Sequence, residues 1–94
     1  MRDAPAYDPC LIGTPWLDVA KARRLFPRVR EGWSKAKVRK LLGLPTDCHP
    51  ERWRYDAWNY AGQKLSYTYA FGGDVVRWIE RTCGGDVRCE DWEH

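Results

Sequence analysis

Ninety-four residues set the scale of a single small domain. With 44% hydrophobic, 31% charged and 14% aromatic residues, the chain is too apolar and aromatic for disorder and too charged for a membrane span. The net charge of +3 is too small to imply an anionic partner by itself. Six tryptophans and five tyrosines mean that aromatics fill much of the core.

Residues 1–13 contain prolines and a glycine and show no hydrophobic period, which predicts an extended arm. The segment Arg2-Asp3-Ala4-Pro5 lacks the apolar run of a signal peptide, and Tyr7-Asp8-Pro9 before Cys10 is not a lipobox. If residue 1 is the native start, this reading expects a cytoplasmic protein. Thr14-Pro15 predicts a helix start, with Thr14 as N-cap and Pro15 at the first helical position. Val19, Ala22 and Phe26 share one face of the predicted helix 16–26, and Pro27 ends or kinks it. Ser34 is the predicted N-cap of a second helix that carries Val38, Leu41 and Leu42 inward. Gly43 is predicted to close it in the left-handed conformation, with Pro45 just beyond.

The period then changes. Trp53, Tyr55 and Ala57 alternate with Arg52, Arg54 and Asp56, and this predicts a strand. Residues 59–63 predict a turn. Leu65, Tyr67, Tyr69 and Phe71 alternate with Ser66, Thr68 and Ala70 as the second strand. Gly72-Gly73-Asp74 predicts a hairpin turn into a third strand, 75–81. On that strand Val76 and Trp78 share one face while Val75 and Ile79 share the other, so alternation leaves the inward row open. The order predicts an α+β domain with two N-terminal helices packed on a three-stranded antiparallel meander over residues 14–82. Residues 83–94 form a Cys-containing acidic tail.

Charge is uneven. Residues 16–45 hold nine Lys and Arg against Asp18 and Glu31, whereas residues 86–94 hold Asp86, Glu90, Asp91 and Glu93 against Arg88. The candidate basic patch is Arg23, Arg24, Lys35, Lys37, Arg39 and Lys40. A solvated helix face explains it, and contact with an anionic macromolecule is the alternative. The four cysteines allow two disulfides in three connectivities. Gly84-Gly85 permits a closed loop between Cys83 and Cys89, which leaves Cys10 and Cys48 as the other pair. Zinc is a rival reading, but no Cys-x-x-Cys is present and the only histidines are His49 and His94.

The run 29–46, VREGWSKAKVRKLLGLPT, resembles the SmpA/OmlA (BamE-like) family in its Gly-x-Ser step, its Val-containing turn and its Leu-Gly-x-Pro ending. Trp53-Arg54-Tyr55, the 65–71 strand, the glycine turn and Val75-Val76 resemble the later part of that family. The resemblance covers residues 17–82. It implies a two-helix, three-strand module, also found in protein inhibitors of β-lactamase. It further implies a periplasmic or outer-membrane-associated protein that binds another protein.

Catalysis has little support. Ser34 and Ser66 lie in no nucleophile elbow, His49 sits in a loop beside Pro50, and no glycine-rich phosphate loop occurs. No cofactor or metal is expected. Aromatics out of register with the core rows are the candidate protein-binding residues: Trp58, Tyr60 and Trp78, with Trp33, the tail residue Trp92, and Arg52 and Arg54 at the rim. The expected function is therefore a non-catalytic protein-interaction module of the cell envelope. The alternative is a cytosolic binder or inhibitor, phage- or mobile-element-derived, whose basic helices engage nucleic acid or a nucleic-acid-binding protein.

Overall fold

The computed structural model describes residues 11–84. The arm before residue 11, Cys10, Cys89, Trp92 and the acidic tail lie outside the described residues. The element order is α1 (Val19–Leu25), a 3₁₀ turn (Phe26–Arg28), α2 (Lys35–Leu42), β1 (Asp47–His49), β2 (Arg52–Trp58), β3 (Lys64–Gly72) and β4 (Val75–Gly84). The strands form one antiparallel sheet in the order β1-β2-β3-β4. The expected three-stranded meander under two helices is therefore wrong. The sheet has four strands, α1 lies across β2 and β3, and α2 is a short second helix. The additional strand is only three residues long, too short to show an alternation, so the sequence pattern there shows only a loop.

The first helix also starts later than expected. Asp18, not Thr14, caps it, its carboxylate accepting from the Lys21 N–H at 3.0 Å. The reason lies in the sheet. β1 pairs only with residues 52–54, which leaves the rest of that edge of β2 needing partners. Thr46 and Trp16 supply them. The Thr46 N–H donates to the Arg54 carbonyl at 2.8 Å, and the Asp56 N–H donates to the Thr46 hydroxyl at 2.9 Å. The Trp16 N–H donates to the Asp56 carbonyl, and the Trp58 N–H donates to the Trp16 carbonyl, both at 2.9 Å. Thr14 and Pro15 consequently lie outside any helix, and Trp16 bridges Ala57.

The second helix begins as expected, with the Ser34 hydroxyl accepting from the Lys37 N–H at 3.1 Å. Gly43 ends it at φ 80°, a positive value that suits glycine, but its ψ of −157° lies outside the left-handed helical well that was expected.

Alternation on the middle strands holds. Trp53, Tyr55, Ala57, Leu65, Tyr67, Tyr69 and Phe71 all face the helices and are buried. Val19, Ala22, Phe26, Val29, Val38 and Leu42 cover them. Phe26 stands at the centre, its ring 5.1 Å from Trp16, 5.6 Å from Tyr67 and 6.0 Å from Tyr55. The inward row of β4 was undecidable from alternation because β4 carries a bulge. Ala70 pairs with Trp78 while Phe71 pairs with Val76, so Arg77 is the extra residue. Val76 and Ile79 both turn inward, and Trp78 turns outward. β4 also runs past its expected end at residue 81 to Gly84, taking Cys83 into the sheet opposite Leu65.

Two sheet tyrosines bond to the helix ends. The Tyr55 hydroxyl donates to the Gly43 carbonyl and the Tyr69 hydroxyl to the Phe26 carbonyl, each at 2.7 Å. Burial holds both phenols protonated and well above their ordinary range. For Tyr55 the Arg39 charge acts weakly against this, and for Tyr69 the neighbouring Tyr67 and Tyr55 add to it.

Two expectations follow. Replacing Tyr55 by Phe removes a part-buried hydrogen bond to the Gly43 carbonyl and costs about 1 kcal/mol. The raised phenol pKa values are a stabilising contribution that is whole below about pH 10 and is lost as pH rises beyond it. Denaturant midpoints at pH 8 and pH 11 should therefore fall less in Tyr55→Phe than in the wild type; an equal fall refutes the assignment. Separately, Trp53, 3% exposed and edge-on to Phe71 at 5.0 Å, should cost about 3–5 kcal/mol when cut to Ala. An unchanged melting temperature would remove it from the core.

Candidate protein interface

The helices cover one face of the sheet only. On the other face, strand register aligns outward residues in cross-strand rows. One row is His49, Arg52, Ala70 and Trp78; the next is Asp47, Arg54, Thr68 and Glu80. Further along lie Asp56, Ser66 and Thr82, then Trp58 and Lys64. No described element covers these rows, and Trp78 is 58% exposed.

Of the six described residues expected to bind protein, four stand on this face: Arg52, Arg54, Trp58 and Trp78. Tyr60 joins them at the far end. It is 91% exposed, with its ring 5.9 Å from that of Trp58 and nearly perpendicular to it. Its loop is braced from within. The Asn59 carboxamide oxygen accepts from the N–H groups of Ala61 and Gln63, and its nitrogen donates to Gln63 Oε1 at 2.8 Å. An exposed aromatic on a braced turn loses little conformational freedom on binding.

Trp33 does not belong to this set. Its carbonyl accepts from the Val76 N–H at 2.8 Å, and the Lys37 ammonium lies 4.1 Å from its ring centroid. It is half-buried at the junction of the 32–34 segment with the start of β4, where its role is packing.

The basic patch does not form one continuous surface. Lys35 donates to the Pro50 carbonyl at 2.9 Å and lies over the Phe71 ring. The Arg39 guanidinium lies 5.2 Å from the Trp53 ring centroid. These cations seal the edge of the core by cation–π contact and aliphatic packing. Arg23, Arg24 and Lys40 are exposed on the helix side, away from the outer sheet face.

Polar chemistry on the outer face centres on Asp56, which alternation placed there but which its sequence context did not single out. Arg54 Nε donates to both Asp56 oxygens, at 3.0 and 3.2 Å, and Ser66 donates to Oδ1 at 2.8 Å. Asp47 stands 3.8 Å from the Arg54 guanidinium on its other side. Arg54 is thus held in place by two acids. A half-enclosed cavity of about 480 Å³ opens beside it, lined by Asp47, His49, Arg52, Arg54, Thr68 and Glu80. His49 is oriented by its Nδ1, which accepts from the Glu51 N–H at 3.2 Å. A second depression, of about 530 Å³, lies on the helix side between Trp16, Leu17, Lys21, Leu42 and Leu44.

Among the described residues, no three His, Cys, Asp or Glu side chains come together as a metal site. No described helix is long and apolar enough to cross a membrane. Cys48 on β1 and Cys83 on β4 are both disulfide-bonded, and no described cysteine is free. The expected pairs Cys83–Cys89 and Cys10–Cys48 lie outside the described residues.

No protein-family model matches the chain, and neither does any curated protein or solved structure. Nothing in these comparisons identifies the SmpA/OmlA family, and that resemblance rests on its motif residues alone.

Proposed function

We propose that this chain is a non-catalytic protein-interaction module whose binding surface is the helix-free face of the sheet. The observation that carries the reading is the placement of Trp78, Trp58 and Tyr60 on or beside one exposed face, with Arg52 and Arg54 between the two aromatic ends. Trp, Tyr and Arg are the residues that most often dominate protein interfaces, and here they serve no core. Asp47, Asp56 and Glu80 interleave with the arginines, a mixed pattern that fits a protein surface better than a phosphate backbone.

The compartment we propose is the oxidising cell envelope. Disulfide bonding of both Cys48 and Cys83 supports it, as does the motif resemblance to an envelope family.

A photo-crosslinking residue placed at Glu80, exposed one row from Trp78 on the same face, and at Lys40 as the helix-side control, tests the interface in the native host. We expect a discrete protein adduct from position 80 and none from position 40. The reverse result would move the interface to the basic helix. Trp78→Ala should change stability by less than about 1 kcal/mol, because its side chain is largely outside the core, while abolishing recovery of the same partner. For the compartment, alkylation of acid-quenched cells without reductant should leave Cys48 and Cys83 unmodified. Labelling of both would place the chain in a reducing compartment.

A further inference from the structure

The hairpin end of the exposed face is built differently from the rest. The first three rows have Ala70, Thr68 and Ser66 of β3 at their middle, and in the first row Ala70 is flanked by Arg52 on β2 and Trp78 on β4. Arg52 and Trp78 are two strand spacings apart, roughly 10 Å. A planar group stacked between two side chains needs about 7 Å, so the Ala70 methyl forms the floor of a notch wide enough for one.

A third wall comes from the bulge. A Cβ built on Gly72 would lie 2.7 Å from Arg77 Cγ and 3.5 Å from Arg77 Nη1. The bulged arginine therefore lies across the outward side of Gly72, next along β3 from Ala70 on that face. Glycine at 72 is what admits it.

The charges at this end are unbalanced. Arg54 is held by Asp56 and Asp47, and Glu80 shares its row. The row of Arg52 contains no carboxylate, and neither Arg52 nor Arg77 has an ion pair among the described residues.

We propose that this notch receives an acidic segment of the partner protein. One carboxylate seats against the guanidiniums of Arg52 and Arg77, and the aromatic side chain beside it lies over Ala70 against Trp78. Guanidinium–carboxylate pairing fixes direction, and the indole supplies the apolar contact. A nucleic-acid backbone is the poorer occupant, because a run of phosphates crossing this face meets Asp47, Asp56 and Glu80 within one or two rows. This inference rests on the binding-module reading and names the chemistry of its partner.

The test titrates the whole chain with N-acetyl-Asp-Phe-amide, N-acetyl-Asn-Phe-amide and hexathymidylate, following the Trp78 indole N–H by NMR. The buried Trp53 indole reports that each variant is folded. We expect a saturable Trp78 shift with the aspartyl probe and binding of the asparaginyl probe weaker by about tenfold. In R52E/R77E the preference should invert toward N-acetyl-Lys-Phe-amide. Equal binding of the aspartyl and asparaginyl probes overturns the proposal, as does the lack of a saturable shift up to about 10 mM. Tighter binding of hexathymidylate overturns it in favour of nucleic acid. If the position-80 crosslink persists under any of these results, only the acidic-segment inference falls. If the crosslink itself is absent, the binding-module reading falls with it.

Discussion

Two phenolic hydroxyls hold the two layers of this protein together. Tyr55 and Tyr69 stand on adjacent strands with their rings edge-on at 5.7 Å, and each donates to a carbonyl at the end of one helix. Helix C-termini leave carbonyls without intrahelical donors, and a buried one must find a donor elsewhere. Here the core aromatics themselves provide it, so that one side chain both fills apolar space and satisfies the backbone. A slip of either strand by one residue would turn its tyrosine to the outer face and lose the ring packing and the hydrogen bond together. The hydroxyls therefore fix register as well as layer contact.

That register divides the molecule's chemistry. The aromatics that face the helices pack around Phe26 or as the Trp53–Phe71 pair, with Tyr69 joined through Tyr55 and Tyr67. The opposite face is left with the complementary set of arginines, short hydroxyl residues, acids and two tryptophans. Because the helices lie on one side only, the outer rows remain open for a partner. The rigidity of a four-stranded sheet places their side chains without an ordering cost in the backbone. Of the cations of α2, Lys35 and Arg39 are bound into the rim of the core. This is why the basic stretch of the sequence does not become one continuous basic surface.

Much of this was readable in advance. The period-two patterns of residues 52–57 and 65–71 assigned the inner rows, and their complement named Arg52, Arg54 and Trp58 as outward. Three features were not readable. β1 has too few residues to show a period and exists because residues 47–49 pair back on 52–54. The start of α1 moved from Thr14 to Asp18 because Trp16 is needed at the open edge of β2. The bulge at Arg77 reversed the parity of β4 partway along, so alternation could not say whether Trp78 was core or surface.

The sequence by itself determined the identity of the two middle strands, the cap at Ser34, the glycine at the end of α2 and the aromatic stock of the core. Each of these depends on local backbone preference or on a periodicity that a single strand carries. Tertiary structure alone decided the fourth strand, the helix start, the outward turn of Trp78 and the conversion of Lys35 and Arg39 into core-edge contacts. Those features depend on which backbone groups remain unpaired once the sheet forms, and that is settled between segments far apart in the chain.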